Sequence, residues 1–168
     1  AEAGKSLEEV QAIGEKVIKN IRTMGMALTP CIVPAAGKPN FTLEEDEMEM
    51  GLGIHGEPGV RKEKIRTADE VVEELVGRVL EDQPLQAGDE VAVLVNGLGG
   101  TPLMELFIMN RKVNAILTDM GVKIYDTNVG NYMTSIEMAG ASVSILKLDD
   151  ELKGYYGAKA DTVAYKHF

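Results

Sequence analysis

The 168 residues contain a single cysteine, Cys31. An internal disulfide is therefore impossible, and so is a zinc site built on several thiolates. Basic residues are also scarce, with 17 Lys and Arg against 27 Asp and Glu for a formal charge of −10. Phosphate backbones and anionic bilayers are gripped by clustered Lys and Arg, so this balance excludes a nucleic-acid groove and adsorption to an acidic membrane surface. No apolar run approaches the length of a membrane span, and the N-terminus lacks the pattern of a secretory signal. Internal repeats and low-complexity segments are missing too. What remains is 45% apolar and 26% charged residues, enough for one soluble domain with a real core, expected in the reducing cytoplasm. The chain opens Ala1-Glu2-Ala3-Gly4 without an initiator Met, and its first strong feature is already a long helix. It reads as a fragment, or as a chain cleaved in a loop.

Ser6 and Glu9 form a capping-box pattern ahead of an apolar stripe, Leu7, Val10, Ile13, Val17, Ile18, Ile21 and Met24. The spacing predicts a helix of about five turns ending near Gly25. Leu28 to Pro39, broken by Pro30, Pro34 and Pro39, predicts an edge strand or a crossing linker. From Asp46 to Ile54 residues alternate, with Glu47 and Glu49 on one side and Met48, Met50, Leu52 and Ile54 on the other, which predicts a half-buried strand. Thr67 and Glu70 open a second capped helix that stops before Pro84. Val91-Ala92-Val93-Leu94-Val95 suits a strand buried on both faces. Thr101 and Pro102 are an N-cap and first-turn pair for a helix to about Met120, closed by Gly121. Further strands are expected from Val122 to about Met133 and from Ala141 to Leu148, with one short helix at most in the tail. This order predicts an α/β fold, a two-layer domain with a mixed β-sheet and helices mainly on one face. Residues 1–40 are expected to be a helix and extended linker from a preceding domain, and residues 41–168 a domain of their own.

Of the two histidines, His167 is penultimate and is expected in a frayed end with no role. His55 follows a predicted strand and is surrounded by Gly51, Gly53, Gly56 and Gly59, which permit unusual turns and close approach of a ligand. Near neutral pH its imidazole can be uncharged, with a nucleophilic lone pair on one nitrogen and a hydrogen bond holding the other. A turn histidine bonded to backbone fits the same residues. Gly97-Leu98-Gly99-Gly100-Thr101-Pro102 leads from a strand into a helix, where backbone N–H groups can bind an anion. Pro102 breaks the dinucleotide fingerprint and the Walker lysine is missing, so a tight strand-to-helix turn is the stronger reading. Glu44, Glu45, Asp46, Glu47 and Glu49 alternate rather than converge and lack calcium-loop spacing, which predicts a solvated edge and no metal site. Cys31 reads as an inert, partly buried thiol, and the nine methionines as core filling.

Four ordered segments resemble the K subunit family of dihydroxyacetone (glycerone) kinase. They are Thr29-Pro30-Cys31-Ile32-Val33-Pro34-Ala35-Ala36-Gly37-Lys38-Pro39, Glu47-Met48-Glu49-Met50-Gly51-Leu52-Gly53-Ile54-His55-Gly56-Glu57-Pro58-Gly59, Asn96-Gly97-Leu98-Gly99-Gly100-Thr101-Pro102 and Met133-Thr134-Ser135-Ile136-Glu137-Met138-Ala139-Gly140. The resemblance implies that His55 captures the C2 carbonyl of dihydroxyacetone as a covalent hemiaminal, making it both the catalytic and the substrate-binding residue. It implies a homodimer and a phosphoryl donor on a separate L subunit, which would carry ATP or ADP with Mg. In that case this chain binds no cofactor of its own. No L domain follows Asp149-Asp150-Glu151-Leu152, which favours the phosphotransferase-system type. The family's earlier domain, with a Gly-Ser-Gly-His loop, a lysine and an aspartate, has no counterpart here. The match therefore covers the C-terminal half, and the chain alone is expected to be inactive. The alternative is a paralogue that binds dihydroxyacetone without turnover and co-regulates transcription.

Overall fold

The computed structural model describes residues 3–54, 57 and 59–167. Elements run α1 (Leu7–Asn20), β1 (Ile21–Ala27), β2 (Glu47–Met50), β3 (Arg61–Lys64), α2 (Ala68–Asp82), β4 (Glu90–Gly97), α3 (Leu103–Asp119), β5 (Lys123–Gly130), β6 (Gly140–Leu148), α4 (Asp150–Tyr156), β7 (Ala160–Asp161) and β8 (Lys166–His167). The first six strands form one mixed sheet in the order β3-β2-β1-β6-β4-β5, with only β4 and β5 parallel. β7 and β8 form a separate two-stranded ribbon.

Alternation along the central strands divides the interior. Val91, Val93 and Val95 of β4 and Ala141, Val143 and Ile145 of β6 face α2 and α3, and with Met26, Met48 and Met50 they build the main core. Their neighbours Ala92, Leu146 and Leu148 face the other way, against Ile13 and Val17 of α1 and Leu152 and Tyr156 of α4. Beyond them a small cluster of Ala27, Cys31, Leu52, Leu98 and Met138, flanked by Phe41 and Ile54, covers the far end of that second face.

Both capping boxes form: Ser6 and Thr67 each accept from the backbone N–H three residues on, and Glu9 and Glu70 reach back. Several expectations are corrected. The first helix ends at Asn20, and Ile21 and Met24, which continue its apolar stripe, belong to β1, between β2 and β6. Residues 21–27 thus share one sheet with the rest of the chain. The strand expected from Asp46 to Ile54 stops at Met50, because Gly51 takes a positive φ of 78° and redirects the chain. Met48 and Met50 remain in the main core, while Leu52 and Ile54 pass into the small cluster on the opposite face. β3 was not expected at all. Thr101 is not the N-cap of α3: Pro102 holds that place without a side-chain bond, and the Thr101 hydroxyl instead pairs with Gly140. His167 is not a frayed end. It pairs with Ala160, and its ring lies edge-on to Tyr156 with centroids 6.2 Å apart.

Candidate functional site

The four segments singled out in the sequence meet at one end of the sheet. Leu28 and Thr29, just after β1, donate their amides to the Ala139 carbonyl at 2.7 and 3.2 Å, and Ala139 N–H donates back to Thr29 Oγ1 at 2.8 Å. Ile32 N–H donates to Glu137 Oε1 at 2.7 Å, and Ser135 Oγ lies 3.4 Å from the buried Cys31 sulfur. Ser135 N–H in turn donates to Leu98 O at 2.8 Å. One apolar residue or more from each segment then enters the same small cluster: Cys31, Leu52, Leu98 and Met138.

The strand-to-helix turn after β4 is built for this packing. Leu98 N–H and Gly100 N–H donate to the carbonyls of Gly140 and Met138, and Thr101 Oγ1 both donates to and accepts from Gly140. Gly99 has φ of 122°, and a Cβ there would overlap the Ile136 carbonyl oxygen, so the close approach requires glycine. Ile136 itself takes φ of 57°, unusual for a β-branched residue and held by the crossing chains. With two amides committed to β6 and its flank, and proline at position 102, this turn is a packing device rather than a phosphate cradle. Sequence reasoning missed Asn96 beneath it. That side chain is fully buried, its Oδ1 accepts from the amides of Tyr132 and Met133, and its Nδ2 donates to Met133 O at 2.8 Å.

The two ends of the connection between β2 and β3 are tied to β1 and β2. Gly51 N–H donates to Gly25 O at 2.7 Å, and Val60 N–H to Met50 O at 2.6 Å. Gly59 N–H donates to Glu49 Oε1 at 2.7 Å. His55, the expected nucleophile, lies outside the described residues, as do Gly56 and Pro58. The expectation that the acidic run is wholly solvated is corrected at Glu49, which is 6% exposed. Its direction follows from strand alternation. Its burial follows from the loop folding back over the same face, for which no local signal exists.

Further along that face a cavity of about 280 Å³ is lined by Ile21, Leu94, Tyr132, Ser144, Tyr156 and Tyr165, among others. Burial, together with the carboxylate of Asp126 that its hydroxyl contacts at 2.8 Å, raises the pKa of Tyr156. Among the described residues no group of three or more His, Cys, Asp or Glu could hold a metal ion, and no helix is long and apolar enough to cross a membrane.

The model of the Dak1 domain matches residues 1–164. The chain belongs to the Dak1 domain family. This Dak1 chain is 53% identical over 151 residues to the dihydroxyacetone-binding subunit of PTS-dependent dihydroxyacetone kinase 1 from Listeria innocua, covering 90% of this chain and 46% of that protein. It spans about half the length of the curated PTS-dependent kinase subunits it matches. Among solved structures, a dihydroxyacetone kinase operon co-activator superposes with a TM-score of 0.89 at 34% identity, covering 100% of this chain and 53% of that one. The dihydroxyacetone kinase of C. freundii in complex with AMP-PNP and Mg2+ gives 0.87 at 25% identity, covering 99% of this chain and 30% of that one. The mixed-sheet α/β fold expected from the sequence is the one these Dak1 structures share.

Proposed function

We propose that this Dak1 chain is the carbonyl-capturing part of a dihydroxyacetone kinase, in which His55 bonds covalently to the ketone. The observation that carries the reading is the meeting of the four segments in one small cluster, to which the stretch just before His55 contributes Leu52 and Ile54, within a chain 53% identical to a dihydroxyacetone-binding subunit. In this reading the Nε2 lone pair of neutral His55 forms a bond to C2 while the C=O π bond breaks. The carbonyl oxygen gains a proton and the ring loses the one on Nδ1, leaving a neutral hemiaminal. Glycerol has no electrophilic carbon and is refused however well its hydroxyls fit. Capture also fixes the terminal hydroxyl, which removes part of the entropic barrier to phosphoryl transfer.

The phosphoryl group comes, in the same reading, from ATP or ADP with Mg2+ on a partner L subunit, linked to the phosphotransferase system as in the names of three similar relatives. A homodimer working in the cytoplasm completes the proposal. Residues 1–168 alone transfer no phosphate, because the groups that activate the hydroxyl belong to the other half of the K subunit.

Intact-protein mass spectrometry under native conditions tests the capture step. Incubation with dihydroxyacetone adds one triose mass to the chain and none to His55→Ala; equal gain by both proteins refutes it. The likeness to an operon co-activator favours a second reading, a relative that captures the ketone and signals to transcription without turnover. Adding the complete subunit to L partner and donor separates the two, since only the kinase then forms dihydroxyacetone phosphate.

A further inference from the structure

Resting on the homodimer of that reading, we propose that the outward face of α3 is where two copies of this chain meet, about a twofold axis that passes beside Ile108. The observation is a helix with two apolar sides. Leu106, Met109, Val113 and Leu117 are buried in the main core against the sheet. On the opposite side Met104 and Phe107 are 71% and 53% exposed, and Leu103 and Ile108 are exposed beside them. Steps of three and four residues place Met104, Phe107, Ile108, Arg111 and Ala115 along one stripe. α2, tied to α3 through Asp69 to Arg111 and Glu73 to Lys112, turns charged residues to water instead, Glu73, Arg78 and Glu81 among them. A helix that is apolar all round is one covered on both sides. The apolar surface continues from Ile108 to the exposed Ile65 across a cavity of about 210 Å³, which Leu28, Ala68, Glu105 and Met109 help to line.

The chemistry of the patch fits a second copy. Phe, Met and Arg are enriched at the centres of protein interfaces, while Lys and Glu are pushed to their rims. A twofold contact lays a surface on its own image, so an apolar centre meets an apolar centre without a matching patch elsewhere on the molecule. The charges agree with this arrangement. Glu105 precedes Ile108, and Arg111 and Lys112 follow it. A twofold axis beside Ile108 reverses one helix against the other, which sets Glu105 of each copy at the basic end of its partner. Parallel helices in register would set like against like. A stable interface takes about 800 Å² from each partner, so the stripe supplies the centre, with Ile65 and the charged edge of α2 as its surround. An anionic bilayer does not suit the face, because the chain carries a formal charge of −10.

Sedimentation velocity over a range of concentrations tests the face. The wild-type chain is expected to sediment at twice its 18.2 kDa mass. Met104→Glu and Phe107→Glu, with unchanged circular dichroism, are expected to raise the dimer dissociation constant by on the order of a hundredfold, as loss of an interface anchor does. Leu7→Glu and Val163→Glu, at exposed apolar residues away from α3, leave the dimer intact. Ile108→Cys places a thiol beside the axis, and mild oxidation joins it to its twin while the buried Cys31 stays out of reach. A dimer of Ile108→Cys that does not cross-link overturns the face, so a poorly folding glutamate variant cannot shelter it. A dimer that keeps its mass in both glutamate variants also overturns the face and leaves the homodimer standing. A wild-type chain that stays monomeric at every concentration, whatever else then binds α3, overturns both. Triose capture is read separately, by mass, and stands or falls apart from all of these.

Discussion

Asn96 satisfies three backbone groups with one side chain at a point where β5 gives way to the Met133–Gly140 segment. Leucine there fits the volume but takes the partner away from two amides and a carbonyl that lean on the buried Asn96 side chain. Each such loss costs about 1–3 kcal/mol, so Asn96→Leu is expected to lower stability by about 3 kcal/mol or more in urea denaturation. Thr101→Val removes only the reciprocal pair with Gly140 and should cost roughly half as much. Equal losses would show that the Asn96 bonds are not the reason for its burial. Neither role was legible beforehand. Thr101 before Pro102 is a sound local cap signal, and it was overridden by a partner 39 residues away. Strand alternation alone turns Glu49 away from Met48 and Met50, but its burial depends on Gly59 returning to it. His55 was legible as a candidate from its glycine neighbours and from family resemblance, since those are matters of sequence.

At the scale of elements, what is local was readable and what is paired was not. Capping boxes depend on four consecutive residues, and both are present. Thr67→Ala, which removes the acceptor for Glu70 N–H, should destabilise the protein by about 1 kcal/mol, measured as a shift in denaturation midpoint without change in slope. β3, by contrast, reads Arg61-Lys62-Glu63-Lys64, with no apolar residue to announce a strand; its existence rests on its ladder with β2. β1 was hidden because Ile21 and Met24 happen to extend the helical spacing. The β3 edge is fastened to α2 by charge. Arg61 and Arg66 donate to Glu74 Oε2 at 2.6 and 2.5 Å, and they hold its carboxyl below the usual range. A depressed folded pKa contributes stability above the unfolded value, about 4.3, and loses it as pH falls through the folded one. Glu74→Gln should therefore be less stable than the wild type at pH 7, with the difference closing below about pH 4. A constant difference across that range would mean that packing, not ionisation, sets the effect.

Over the whole molecule the main core and the site do not share one body of apolar contacts. β4, β6, α2 and α3 enclose the large cluster, whereas the site end rests on a few side chains around Cys31. The segments that bring them there are loops tied by scattered hydrogen bonds, such as the pair in which Asn40 N–H donates to Cys31 O at 3.2 Å and Cys31 N–H donates to Asn40 Oδ1 at 3.1 Å. Regions with few buried contacts open at free energies below that of global unfolding, which would serve a site that admits a ketone as proposed. The lone cysteine makes the difference measurable, because Cys31 is 3% exposed and reacts only when its cluster opens. Thiol labelling under native conditions should proceed through local opening. Its rate should be nearly independent of urea at low concentration, because little surface is exposed, and should join the steep global dependence only near the unfolding midpoint. On the proposed function dihydroxyacetone should slow the local phase, and leave the global limb shifted only by mass action. Labelling that follows the global slope from zero urea upward would show the two clusters to be one cooperative unit. The proposed capture would then have to proceed without any local opening of the cluster around Cys31.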